Sequence, residues 1–393
     1  MDPDTPETKS TPSPITPSAI ARREAAEIEL FADDHLNSNH QMADKEASFQ
    51  RDLWQLCAKR GILGLTCPTE YSGGGISTID SCALLEALGH GCRNNGLLFA
   101  LGTQIWGLQK SILKFGNDNQ KRNYLPAMIN GDMIGCFAIN EYSSGSDAIS
   151  LSTTATKDGD KYILNGEKSL IAMAPVADFA LVFANSNPQA GRWGVSAFLI
   201  DRNTPGIELH SANDMMGLRT APVGKITLRE CKIPDSSLLG QEGSGATLFN
   251  YAQIWERSML LAPQIGTMQR QINESVKFAK NRSRGGINIG KHQAISNRIA
   301  DMAIRLETSR LLQQKAATLL DNEKFDIFNA AIAKTHISET FEINSRDMLA
   351  IMGGSGYLTE YGIENDLRDA IGSTIYGGTT DIQRNIISGF LGL

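Results

Sequence analysis

With 393 residues, 41% of them hydrophobic and 20% charged, the chain can bury a large core without metal or disulfide staples, and its composition is globular rather than disordered. A net charge of −6 excludes a general nucleic-acid binder, which needs a basic surface for phosphates. No apolar run approaches the roughly 18 residues that a membrane span needs, and six cysteines without a C-x-x-C pair read as small buried, reduced thiols of a cytoplasmic protein.

Residues 1–20, rich in Pro, Ser and Thr with acids and no apolar stretch, match neither a secretory signal nor a transit peptide and predict a disordered tail. From 21 to 135 the pattern is helical. Leu53, Leu56, Cys57 and Arg60 recur at helical spacing before Gly61, which stops the helix. Ile79–Leu88 predicts a second helix ended by Gly89, a third precedes Gly116, and a fourth lies near Gln120–Ile129. From 136 to 245 short extended runs take over. Thr153–Lys157 and Lys161–Leu164 flank Asp158-Gly159-Asp160, a hairpin signal. Phe179–Ala184, Val195–Ile200 and Lys225–Leu228 are further strands, with Asn165-Gly166 and Thr204-Pro205-Gly206 read as turns. From 246 to 393 helices return: a long amphipathic one over His292–Leu320, another over Phe328–Met348, then the turn Met352-Gly353-Gly354-Ser355-Gly356-Tyr357. The order helical, β, helical predicts an α+β fold in one compact body.

Two segments carry the chemistry. Gly145-Ser146-Asp147, within Cys136–Asp147, lets the backbone approach an anionic group and offers a hydroxyl donor, although a plain Gly-Ser turn reads the same in isolation. Gly378-Thr379-Thr380-Asp381 precedes a helical run over Ile382–Phe390, so its backbone N–H groups sit at a helix N-terminus that suits phosphate, or simply cap the helix.

Taken in order, Cys136–Asp147, Leu164–Lys168, Ile351–Tyr357, Leu367-Arg368-Asp369 and Ile375–Arg384 resemble the acyl-CoA dehydrogenase family, with weaker matches at Gly217-Leu218-Arg219, Glu256-Arg257, Arg282 and His292-Gln293-Ala294. The resemblance spans nearly everything after residue 20. It implies an N-terminal helical domain, a middle β-domain and a C-terminal four-helix bundle, and FAD as cofactor. It sets Phe137, Ile139 and Asn140 against the flavin ring, Gly145 and Ser146 beside the FAD phosphates and the thioester arm, Gly354 along the diphosphate, and Thr379 and Asp381 on FAD. Arg282, Gln293 and the adjacent Arg284 resemble residues that a neighbouring subunit sends to the adenosine and pyrophosphate, which implies a homo-oligomer, a tetramer by family pattern. Arg368-Asp369 resembles a structural pair.

Removing a proton beside a thioester carbonyl needs a carboxylate. In most of the family it stands just before the Gly-Thr of the C-terminal motif; here that position is Gly377, whose N–H could still face the carbonyl oxygen. A second family solution places the glutamate on a helix directly before an arginine, and Glu256-Arg257 matches it, which makes Glu256 the expected base; an exposed, ion-paired glutamate is the plain alternative. Other departures are Leu170 and Ala172 where Trp and Thr usually flank the flavin, Asn140 for a common Thr, and Gly285 for a common Phe.

The function implied is α,β-dehydrogenation of an acyl or aminoacyl thioester on coenzyme A or a carrier protein. Gly266-Thr267-Met268 together with the other two features is similar to the natural-product branch that uses carrier proteins. The electron acceptor is an electron-transfer flavoprotein, or oxygen if the enzyme is an oxidase. A non-catalytic FAD-binding partner subunit is the competing reading. His35 and His40 stand without a second cluster, so no metal is expected.

Overall fold

The computed structural model describes residues 16–393. Most of the expected tail lies outside them. Its last residues do not: Ser18 caps the first helix, accepting from the Ala21 N–H, and its own N–H donates to Asp80.

The N-terminal part is helical: α1 (Ala19–His35), α2 (His40–Glu46), α3 (Arg51–Lys59), α4 (Thr78–Gly91), α5 (Asn95–Gly102), α6 (Lys110–Phe115) and α7 (Asp118–Ile129). Helices α5 and α6 are one continuous rod, joined by a π-helical segment over Thr103–Gln109. Gly61 ends α3 with φ +86°, as the sequence predicts. Gly89 does not end α4. The helix runs on to Gly91, and a Cβ at Gly89 would lie 1.8 Å from the Pro263 carbonyl oxygen, so this glycine serves close helix packing.

A seven-stranded sheet follows: β1 (Gly135–Ala138), β2 (Thr154–Asp158), β3 (Lys161–Ala172), β4 (Phe179–Asn185), β5 (Val195–Asp201), β6 (Ile207–Leu209) and β7 (Val223–Pro234). Its order is β1-β4-β2-β3-β7-β6, with β5 also on β4; β1 and β4 run parallel, and the β2–β3 hairpin turns where expected. Asn165-Gly166 is not a turn. It sits inside β3 at a bulge, Gly166 having φ +148° and a Cβ position 2.5 Å from Thr153 Oγ1.

Four long helices form the third part: α8 (Gly245–Met259), α9 (Ala262–Asn281), α10 (Gln293–Asp321) and α11 (Ile327–Met352), with β8 (Ser283–Arg284) and β9 (Ile287–Asn288) as a small hairpin between α9 and α10. Shorter α12 (Ile363–Ser373) and α13 (Thr380–Phe390) close the chain. Met268, Met302, Leu306, Ile337 and Phe341 fill the bundle interior. The three parts share a buried polar hub, in which Asp369 accepts from the Leu218 N–H and from Asn95, and Asp366 from Arg270, Gln271 and Asn95. Burial, with Asp366 and Asp44 nearby, pushes the Asp369 carboxyl up to about 7. The sequence-expected pair Arg368-Asp369 is thus structural, Arg368 holding Asp44. All six cysteines are buried and unpaired. Among the described residues, no helix is long and apolar enough to cross a membrane.

Candidate active site

Helix α8 carries Glu256 and Arg257 in its last turn. Trp255 stacks on Trp106 of the π segment, with centroids 5.8 Å apart and planes within 6°, and the Lys110 ammonium caps the Trp255 ring at 4.2 Å. Burial pushes Lys110 down to about 8. This stack fixes how α8 faces the π segment, and it brings the next residues along, Gly107 and Glu256, into contact. Glu256 Oε1 lies only 2.6 Å from where a Cβ on Gly107 would be, and Phe137 of β1 is 3.8 Å from the same point. Gln253, one turn earlier and buried, donates to Glu256 Oε2 at 2.7 Å.

The carboxylate is crowded by protein, although the residue as a whole keeps some solvent contact. Burial pushes its pKa up to about 7, against the Arg257 charge and the Gln253 hydrogen bond. It is therefore a carboxylate poised near neutrality rather than an exposed, ion-paired one.

Arg257 ties position 256 to position 377: its Nε donates to the Gly377 carbonyl at 3.3 Å. Gly377 and Gly378 both have positive φ, +66° and +87°, and a Cβ on Gly377 would meet nothing within 4 Å. The position without a carboxylate therefore faces open space. The N–H groups of Gly377, Gly378 and Thr379 have no acceptor among the described residues, whereas Thr379 Oγ1 caps α13 by accepting from the Ile382 N–H. Asp381 is exposed in the first turn of α13.

The opposite wall is β1, the loop after it, and the end of β3. Phe137 is half-buried, Ile139 buried and Asn140 exposed, while Gly145 (φ +47°) and Ser146 stand exposed in the loop. Beneath them Lys168 and Glu141 form a buried ion pair at 2.7 Å, and Lys168 also donates to the Ile139 carbonyl at 3.1 Å. Leu170, at φ +54° in a second β3 bulge, projects with 61% exposure, two residues before half-buried Ala172. Ser144 Oγ is buried without a hydrogen-bond partner. An exposed apolar side chain, an orphaned hydroxyl and three free N–H groups fit a planar group with polar edges and a phosphate tail, the kind of molecule FAD is.

Other expected cofactor residues lie elsewhere. Arg282, Arg284 and Gln293 are exposed and make no side-chain hydrogen bond or ion pair among the described residues, and Gly354 is exposed after α11. All four sit at the end of the bundle where α9 and α11 finish and α10 begins. Glu256 sits at the level of Gln313, which donates to the Ser258 carbonyl. From Gln293 to Gln313 is about 30 Å along α10, so one chain does not bring these residues to its own Glu256.

Gln253 and Gly107 stand outside the motifs of the sequence. The i, i+3 spacing of Gln253 and Glu256 on a helix was a usable signal; Gly107, in an apolar helix, gave none.

Domain models of the acyl-CoA dehydrogenases match the chain in order: the N-terminal domain over residues 21–132, the middle domain over 136–231 and the C-terminal domain over 243–391. The chain is 38% identical over 341 residues to an L-prolyl-(peptidyl-carrier protein) dehydrogenase of Pseudomonas fluorescens, covering 86% of this chain and 90% of that one. It is 36% identical over 361 residues to the mitochondrial short-chain specific acyl-CoA dehydrogenase of Rattus norvegicus, covering 92% and 87%. Among solved structures, a prolyl acyl carrier protein oxidase, AnaB, superposes with a TM-score of 0.94 at 38% identity over 96% of this chain and 100% of that one. A structure described as PigA with FAD and proline gives 0.93 at 32% over 96% and 98%.

Proposed function

This chain belongs to the acyl-CoA dehydrogenase family, and from that premise we propose that it binds FAD and dehydrogenates an aminoacyl group, a prolyl group foremost, held as a thioester on a carrier protein. The observation that carries this reading is the Glu256 carboxylate, set in the contact between α8 and the π segment with its proton affinity raised to about 7, while position 377 is empty. The prolyl-carrier relatives, at 38% identity by sequence and by structure, favour the carrier-bound substrate over coenzyme A.

FAD, when bound, supplies the hydride acceptor. Glu256 takes the proton from the carbon beside the thioester carbonyl. Gln253 holds the other carboxylate oxygen, so the accepting oxygen keeps one direction. The free N–H of Gly377 supports the carbonyl oxygen as negative charge develops there. Phe137, Ile139, Asn140, Leu170 and Ala172 form the face for the ring; Gly145 and Ser146 take the phosphate and thioester arm; Thr379 and Asp381 take further FAD contacts. Arg282, Arg284, Gln293 and Gly354, remote from their own Glu256, complete the site of a neighbouring copy, so the working form is a homo-oligomer, a tetramer by family pattern. The six unpaired thiols favour the cytoplasm.

Anaerobic mixing of the FAD-loaded protein with prolyl-carrier thioester and with butyryl-coenzyme A tests the reading. Fast bleaching of flavin absorbance by the prolyl-carrier alone supports it; preference for the coenzyme A ester overturns the carrier assignment. No bleaching with any thioester favours a non-catalytic partner. Relatives named both dehydrogenase and oxidase leave the acceptor to a second measurement, reoxidation by oxygen against an electron-transfer flavoprotein.

A further inference from the structure

Behind the loop 374–378 stands a lysine with no task in the chemistry above. Lys334, on α11, is 2% exposed, and its Nζ donates to the Thr374 carbonyl at 3.3 Å. Among the described residues no carboxylate lies within ion-pair distance of it; Glu339, whose charge acts on it from farther away, is held by Arg384. Burial, with Arg257 adding to it, pushes the Lys334 ammonium down to about 7. A buried ammonium without a counter-charge is costly, so its retention calls for a geometric reason.

That reason lies in what its neighbours do. Gln383, fully buried on α13, donates to the Gly377 carbonyl at 3.2 Å and to the Gly378 carbonyl at 2.9 Å. Arg257, from α8, donates to the Gly377 carbonyl as well. Three side chains from three helices thus take carbonyls of a single short loop, and the Thr380 N–H adds a bond to the Thr374 carbonyl at 3.0 Å. The N–H groups of residues 377–379 are left without acceptors among the described residues. A two-glycine loop at positive φ has many alternative conformations, and something must choose among them.

We infer that Lys334 and Gln383 are positioning residues: by seizing the carbonyls of Thr374, Gly377 and Gly378 from behind, they hold the loop so that the Gly377 N–H points at the substrate's thioester carbonyl. This deepens the proposed function and rests on it. Where a glutamate at 377 would have side-chain contacts of its own to steady the loop, a glycine has none, and the clamp does that work from the interior.

The test uses the FAD-loaded enzyme, Lys334→Met and Gln383→Met, with an unreactive thioester bearing an isotope-labelled carbonyl. Infrared difference spectra read the carbonyl stretch in the bound state, and single-turnover flavin reduction is followed with the reactive substrate. In the wild type the stretch moves to lower frequency than in water. In each variant at least half of that displacement is expected to vanish and reduction to slow by about ten-fold or more, with FAD content unchanged. Methionine fills the lysine's volume without its charge, and Gln383→Met gives the same readout if Lys334→Met does not fold. Variants that keep the full displacement and the full rate overturn the clamp. Glu256→Gln separates the two claims: it should keep the displacement while losing reduction. If it reduces flavin normally, the base assignment fails, and the carbonyl stretch still judges the clamp.

Discussion

Oε1 of Glu256 occupies the space that a Cβ on residue 107 would need, the two points being 2.6 Å apart. Position 107 must therefore be glycine for the carboxylate to rest where it does, and the Trp106–Trp255 stack one residue back holds the two backbones in that register. Gly107→Ala is expected to displace the carboxylate while leaving the rod from α5 to α6 intact, since alanine favours helix. Flavin reduction should fall by about 10- to 100-fold with FAD binding unchanged; stopped-flow absorbance checks this.

The raised proton affinity of Glu256 sets a pH profile. The base acts only when ionised, so reduction should rise with pH and level off above about 7. Stability runs the other way. Between the ordinary 4.5 and about 7 the folded protein holds a proton that the unfolded chain has released, so this group's contribution is fully present below 4.5 and is lost as pH rises through 7. Glu256→Gln should accordingly gain about 1–3 kcal/mol at pH 8 while losing activity by about 100-fold or more. Denaturant melts of both proteins at two pH values measure the difference.

The Glu141–Lys168 pair lies under the ring-facing wall. Burial alone would raise Glu141, but hydrogen bonds from Lys168, Ser152 and Thr153 hold it down at about 2; burial meanwhile pushes Lys168 down to about 8. The pair gains on the carboxylate and loses on the ammonium, so its net worth is small, and the cost of breaking it is not. Glu141→Gln leaves a buried ammonium facing a neutral partner and should destabilise by about 3–5 kcal/mol, read as a lower denaturation midpoint at pH 7. In the wild type the carboxylate's share is present above 4.5 and lost as pH falls through about 2.

The distance of about 30 Å along α10 between Gln293 and the Glu256 level predicts complementation. Arg282→Ala should weaken FAD binding with Glu256 intact, and Glu256→Gln should bind FAD without reducing it. Reassembling the two together should restore activity that neither homo-oligomer has, because some sites then receive Glu256 from one chain and Arg282 from another. Mixed assemblies as inactive as their parents would place each site within one chain.

Much of this was legible in the sequence because local chemistry and tertiary structure agreed. The strands over Phe179–Asn185 and Val195–Asp201, the stop at Gly61 and the helix after Thr379 follow from residue types alone. Glu256 is legible through the family resemblance, which offers two positions for the base, one of them occupied by Gly377. What was not legible depended on contact between distant segments. Gly89 reads as a stop because a glycine near a helix end often is one, whereas its reason is the carbonyl of Pro263. Asn165-Gly166 has turn chemistry but is consumed by a bulge against Thr153. Lys334 stands in no motif, and Gln383, though it falls within the Ile375–Arg384 segment, shows its task only where the loop 374–378 meets three helices.

The central claim is that Glu256 removes the proton beside the thioester carbonyl, and exchange of that proton with solvent deuterium measures it most directly. With the enzyme reduced beforehand, so that no net oxidation occurs, mass spectrometry of the bound prolyl-carrier thioester should show deuterium entering the α-carbon in the wild type. In Glu256→Gln entry should be slower by about 100-fold or more. Equal rates in the two proteins would mean that another group takes the proton.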